Sequence, residues 1–303
     1  MIQRLKKKLY GFIEAYFLEG CSNYNSLAVR RSSRTKQKAR DMFLSHNIPV
    51  AQGLAFINPF RALSFVRKHG FPVVIKPNLG GFSRGSFFPI RTYRDLWKAL
   101  FWVKFYWPKT IIEQYAEGKN YRVTALDGNV IAVARRYPPQ VLGDGINTIE
   151  NLIEKENKVR ARMNLCPVIS PLSTGKRTQK YLKKQGLNLK SILEEDQRVD
   201  LFHRIALSPG GSIETIDIST ITPKNKKLFK QILDLFEARI FGIDIIMSQG
   251  IDVDYDEQDS VLLEVNSRPY LKLHEYPRYG EKPDLSSHYK DLDTLTIEEN
   301  DIF

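Results

Sequence analysis

Three oxygen-bearing side chains stand at the ends of two β-branched runs: Asp244 in Phe241-Gly-Ile-Asp-Ile-Ile-Met, and Glu264 with Asn266 in Val261-Leu-Leu-Glu-Val-Asn-Ser-Arg-Pro. Residues two apart on a strand share a face, so Glu264 and Asn266 present a carboxylate and a carboxamide side by side. Hard oxygen ligands converging in this way suit Mg²⁺ carrying the phosphates of a nucleotide. The same residues also read as ordinary acids at strand ends, and the rest of the chain decides between the two.

The elements that must position these groups alternate between short strands and helices. A helix is expected over 6–18, then a Gly/Ser/Asn loop over 20–26 and a basic segment. Thr35 can cap a helix running through Lys36 to Phe43, ended by Asn47 and Pro49. A helix over 60–68 leads to a strand over 72–77 stopped by proline, and Lys76 lies inside that apolar run, where its burial is costly unless an anion accompanies it. Next come a glycine-rich loop, Gly80-Gly81-Phe82-Ser83-Arg84-Gly85, a strand over 86–90, a helix over 93–105 and a strand over 110–115. Strands over 121–126 and 130–136, joined by Asp127-Gly128-Asn129, form a hairpin. A turn from Val141 leads to a helix over 149–162 capped by Thr148, and 176–184 and 224–239 complete the helices. The last stretch, 291–303, holds five acids and no base, as a disordered tail would.

Composition bounds the rest. The chain has 303 residues, 42% hydrophobic and 11% aromatic, enough for a large core in one elaborate domain or two small ones. No apolar run approaches a bilayer span, and the basic start (Arg4, Lys6, Lys7, Lys8) lacks the features of a signal peptide, so a cytoplasmic location is expected. Cys21 and Cys166 have no Cys or His at metal-ligand spacing, which argues against zinc or a disulfide framework. The net charge of +12 is spread, with concentrations at 30–40 and 224–230, and no nucleic-acid motif accompanies it.

In order along roughly residues 33–285, these landmarks resemble the ATP-grasp superfamily, and within it the ligase modules of cyanophycin synthetase and the bifunctional glutathione synthetases. Thr35-Lys36 with Asn47-Ile-Pro-Val is similar to the family's Thr-Lys helix and the segment after it, and Val73-Val-Ile-Lys76-Pro77 to its nucleotide-facing strand. Gly80 to Gly85 looks like the mobile loop that covers phosphates, with Ser83 where glycine is usual. Ile111-Ile-Glu113-Gln114-Tyr115-Ala116 resembles the hinge strand whose backbone reads adenine, and Gly118-Lys-Asn120-Tyr-Arg122 the Gly-Lys-Asp-Tyr-Arg motif. Arg122 reads equally as a hairpin-face ion pair or a substrate contact. The run Arg135-Arg136-Tyr-Pro-Pro-Gln-Val-Leu-Gly143-Asp144-Gly145-Ile-Asn-Thr148-Ile, with Glu156-Asn157 behind it, is similar to the signature of the cyanophycin and glutathione branch. Departures fall near Leu207-Ser-Pro-Gly-Gly, where Ala206 replaces an asparagine and Phe202 an arginine. Arg204, two residues on, would lie on the same strand face and take over anion binding.

The resemblance implies an α+β ATP-grasp fold, two subdomains whose antiparallel sheets clamp ATP with Mg²⁺, Mn²⁺ being a substitute. It divides the chain into an extension (1–35), an N-terminal subdomain (36–112), a C-terminal subdomain (113–290) with a helical insertion near 146–200, and the acidic tail. Asp244, Glu264 and Asn266 would hold metal; Lys36, Lys76, Gly80, Gly81, Ser83, Arg84, Gly85, Glu113, Gln114, Tyr115, Ala116 and Glu117 would hold the nucleotide. Arg136 or Arg204 would act on the transferring group. The implied activity is ATP-dependent carboxylate–amine ligation on an amino acid or peptide through an acyl phosphate; the alternative is a nucleotide-binding protein without ligase activity. Only 35 residues precede Lys36, so a homo-oligomer or a separate partner is expected to stand in for the family's N-terminal substrate domain.

Overall fold

The structure, a computed structural model, describes residues 24–33, 36–78, 85–165 and 168–288. Expectations for the helix over 6–18, Cys21, Thr35, Gly80, Gly81, Ser83, Arg84, Cys166 and the acidic tail lie outside them. The described residues fall into two compact units, one drawn from Met1–Val133, Ile216–Lys272 and Pro283–Phe303, the other from Ala134–Thr215 and Leu273–Lys282.

The first unit contains a four-stranded antiparallel sheet, ordered β1-β4-β2-β3, of β1 (Gly53–Phe56), β2 (Val73–Pro77), β3 (Phe87–Ile90) and β4 (Thr110–Gln114). Alternation gives each strand an apolar face: Val73 and Ile75 of β2 and Ile112 of β4 are buried beneath two helices, α3 (Phe60–His69) and α4 (Tyr93–Tyr106). These helices supply Ala62, Phe65 and Val66, and Leu96, Ala99, Leu100 and Val103, to the same core. Thr92 caps α4, accepting from the Asp95 amide at 3.1 Å.

A five-stranded sheet, ordered β11-β10-β5-β6-β9 with β9 at Ser212–Ile216, contains the expected hairpin: β5 (Lys119–Leu126) and β6 (Asn129–Tyr137) turn through Asp127 and Gly128, whose φ values of 46° and 82° are both positive, as a two-residue I′ turn requires. Beside β5 lies β10 (Ile240–Met247), then β11 (Ser260–Asn266), antiparallel throughout. Helix α7 (Pro223–Phe236) starts at the Thr222 cap with proline at its first turn and ends on left-handed Glu237. Its Leu228, Phe229, Ile232, Leu233 and Phe236 cover this sheet together with Ala39 and Phe43 of α2 (Lys36–Ser45).

One helix was not expected. The basic segment, to which no element was assigned, contains α1 (Leu27–Ser33), whose Val29 joins the main core. Its anchor is Asn25, which donates to the carbonyls of Ile240 (2.6 Å) and Ser267 (2.8 Å) and accepts from the amides of Arg239 and Ile240. Seven residues with two arginines carry no period; the tertiary hydrogen bonds of one asparagine hold the segment instead.

The second unit packs α5 (Ile149–Arg162) and α6 (Lys176–Lys184) around Val141, Leu172, Leu193 and Leu201, next to a ribbon of β7 (Gln140–Leu142) and β8 (Arg198–Asp200). Both helices have the expected bounds. β1, like β7, β8 and β9 (Ser212–Ile216), went unread; strands of three to five residues show few alternations.

Candidate nucleotide and metal site

Asp244 and Glu264 are cross-strand partners, directly opposite one another on β10 and β11, and Asp244 is equally opposite Arg122 on β5. Three charged groups therefore line up across three strands on one face. Arg122 grips Asp244 with two parallel hydrogen bonds, Nε to Oδ1 and Nη2 to Oδ2 (2.9 Å), and both side chains are nearly excluded from water. The room comes from Gly242, where a Cβ would stand 3.0 Å from the Arg122 guanidinium. The ion pair expected of Arg122 is present, its partner being Asp244. Asn266 lies one pleat on, opposite Gly242, and donates to its carbonyl at 3.3 Å.

Glu264 leads to the other cations. Its carboxylate meets Lys36 Nζ at 3.2 Å. Lys36 opens α2, whose first turn is held by Asn78: the Lys36 amide donates to its carbonyl and the Gln37 amide to its side chain. One turn further along the same helix face, Arg40 reaches Glu113 of β4 at 3.6 Å, and Glu113 binds Lys76 of β2 at 2.5 Å. Lys76, Arg40 and Glu113 are all buried. A Cβ at Gly53 would stand 2.5 Å from Glu113 Cγ, so only glycine lets β1 pass. The sequence reading missed Arg40; its signal was the four-residue spacing from Lys36.

The result is three ion-paired groups, Lys36 with Glu264, Arg122 with Asp244, and Glu113 with Lys76 and Arg40, related through the turn of α2 that separates Lys36 from Arg40 and through the pairing of Asp244 with Glu264. Arg40, Lys76, Glu113 and Asp244 are buried, and buried charge is expensive unless it prepares a site for an ion. Its donors are all oxygens, and among the described residues no cluster of three or more His, Cys, Asp and Glu is gathered. Two carboxylates and a carboxamide fit Mg²⁺ shared with phosphate oxygens and water better than a metal enclosed by protein alone.

The expected nucleotide residues fall in three places. At the end of β4, the amides of Gln114 and Tyr115 already donate to the carbonyls of Gln52 (2.8 Å) and Pro72 (3.0 Å), and Ala116 follows half-buried. Glu117 is exposed and pairs with exposed Arg91 at 3.4 Å. Of the glycine-rich loop only Gly85 is described, in a turn with φ +74°.

The two candidate arginines lie in the second unit, Arg136 half-buried near the end of β6. Arg204 requires a correction. It lies in an irregular segment after β8, not on a strand, so the argument that two residues preserve a face does not apply. Phe202 turns into an aromatic cluster with His203 (4.4 Å) and Tyr181 (6.2 Å). Burial pushes the His203 imidazole down to about 4, helped by the positive charges of Arg204, Lys184 and Arg177.

A group whose folded pKa is depressed in this way opposes protonation in the native state only. Between its ordinary 6.5 and about 4 the unfolded chain binds the extra proton, so stability falls as pH drops through that window. The expected result is a neutral His203 ring at pH 5 by NMR titration, and a pH dependence of the melting temperature that His203→Gln flattens.

Other residues of the signature are structural. Asp144 closes the turn before α5, accepting from the Asn147 amide (2.8 Å), the Ile146 amide and Lys155, which holds its carboxyl well below the usual range. Burial alone would raise Glu156, but Arg278 and Arg160, each at 2.9 Å, keep it ionised and low.

With this geometry in view, comparison places the chain among known proteins. No family model matches it. It is 32% identical to cyanophycin synthetase of Synechocystis sp. over 89% of this chain and 31% of that protein. It is 28% identical to the glutathione biosynthesis bifunctional protein GshAB of Clostridium perfringens, over 85% of this chain and 33% of that one. Among solved structures, the bifunctional glutathione synthetase from Pasteurella multocida superposes with a TM-score of 0.62 at 23% identity, covering 89% of this chain and 38% of the other. The ATP-grasp ligase PsnB, at 15% identity, gives 0.51 over 89% and 63%. The chain spans about a third of the length of these curated relatives.

The α+β architecture, with its antiparallel sheets and charged array, is an ATP-grasp fold. Within that class the chain resembles the ligase modules of cyanophycin synthetase and the bifunctional glutathione synthetases.

Proposed function

We propose that the chain is an ATP-dependent carboxylate–amine ligase that forms an amide bond on an amino acid or peptide. The observation that carries this reading is the pairing of Asp244 with Glu264 across β10 and β11, joined through Lys36 and Arg40 to Glu113 and Lys76. Glu264, Asn266 and Asp244 would hold Mg²⁺, which supplies charge neutralisation at the phosphates. Lys36 and Lys76 would bind phosphate oxygens, and the backbone after Tyr115 would meet adenine, since the two amides before it are already used. A substrate carboxylate oxygen attacks the γ-phosphorus and ADP leaves, giving an acyl phosphate. An amine then attacks the acyl carbon, losing a proton as phosphate departs. Arg136 or Arg204 would steady the transferring group. One PsnB structure was solved with Mg and ADP, which supports this pair for the fold.

A second reading, nucleotide binding without ligation, draws on one observation: Phe202, at the place where the resemblance implies an arginine, turns into an aromatic cluster. Hydroxylamine separates the two. Incubated with MgATP and a panel of amino acids and dipeptides, a ligase accumulates hydroxamate with at least one of them; ATP binding with no hydroxamate or amide from any would favour the second reading.

A further inference from the structure

We propose that α4 and the start of α3 form a docking face for an anionic membrane surface. Helix α4 carries large apolar side chains on its outward face as well as its inward one. Leu96, Ala99, Leu100 and Val103 face the four-stranded sheet, as in any helix packed on one side, yet the outward positions are aromatic too. Tyr93, Trp97, Phe101 and Phe105 follow one another at four-residue spacing, and Trp102 and Tyr106 repeat it. All six are exposed, Phe101 by 67% and Phe105 by 72%. Phe60 at the start of α3 meets Trp97 edge-on at 6.3 Å, and exposed Ile57 extends the patch. Isolated surface aromatics need no explanation, but a contiguous stripe of this size marks an interaction site.

Charge decides the occupant. Arg94 and Lys98 stand exposed between these rings in sequence, and the start of α3 adds exposed Arg61 beside Phe60; Asp95 is the one acid in either helix. Tryptophan and tyrosine rings settle at headgroup level, while lysine and arginine stems reach lipid phosphates. A second copy of the chain would instead bring the same cations together at a dry interface, against a net charge of +12 on each partner. With 14 residues, α4 lies on a bilayer and does not span it, and no helix among the described residues is long and apolar enough to cross one. Lys76 and Glu113 belong to the opposite face of the small sheet, so lipid and nucleotide would not compete.

The test is sedimentation with vesicles of phosphatidylcholine alone or mixed with phosphatidylglycerol. Binding is expected to the anionic mixture only, to weaken with salt, and to shift the emission of Trp97 and Trp102 to the blue. Phe101→Ser with Phe105→Ser should cut the bound fraction roughly tenfold or more, and Arg94→Glu with Lys98→Glu likewise. Neither pair should lower the melting temperature, because all four side chains are exposed. No binding to anionic vesicles, undiminished binding in both double variants, or a dimer in sedimentation that Phe101→Ser with Phe105→Ser dissolves would overturn the proposal.

Discussion

Glu264→Gln is expected to abolish ligation while leaving the fold as stable as the wild type to within about 1 kcal/mol, because its pair with Lys36 is partly open to water. Removing a metal ligand that neutralises transition-state charge lowers turnover by roughly a hundredfold or more. Asp244→Ala is expected to behave differently. It strands Arg122, which is nearly excluded from water, and breaking a buried pair by removing one partner costs about 3–5 kcal/mol. Activity and melting temperature would then fall together. Turnover measured beside thermal melts on both variants separates the roles; full activity in Glu264→Gln would remove it from the metal site.

The second large effect concerns Glu113. Its carboxylate holds both Lys76 and Arg40 in a buried setting, so Glu113→Gln leaves two cations without their anion. A loss of about 3–5 kcal/mol follows, which lowers the melting temperature by roughly 10 °C. If Lys76 faces nucleotide phosphate, MgATP restores the missing negative charge, and a ligand binding only the folded state stabilises it by mass action. The shift on adding MgATP should therefore be larger in Glu113→Gln than in the wild type. An equal or smaller shift would detach Lys76 from the phosphates.

Much of this site was legible in the sequence because local rules and tertiary packing agree there. The period of two along β10 and β11 placed Asp244, Glu264 and Asn266, and the helix expected over 224–239 was visible in the spacing of Leu228, Ile232, Leu235 and Phe236, although it ends at Phe236, three residues early. Arg122 was open between two roles until β5 set it opposite Asp244, since register between distant strands cannot be read from either strand alone. Arg40 and Asn25 were missed for a related reason: each gains its role from partners far off in sequence, Glu113 in one case and Ile240 with Ser267 in the other. Around Arg204 the strand assumption failed, as Pro209 with Gly210 and Gly211 close a turn that leaves the preceding residues irregular.

The metal-bearing face of β10 and β11 is tested most directly by calorimetric titration of ATP with and without Mg²⁺, on wild type and Glu264→Gln side by side. Wild-type protein should bind ATP more tightly when Mg²⁺ is present, and Glu264→Gln should lose most of that gain while still binding ATP. The same Mg²⁺ dependence in both proteins, or no ATP binding by the wild type at millimolar nucleotide, would contradict the assignment.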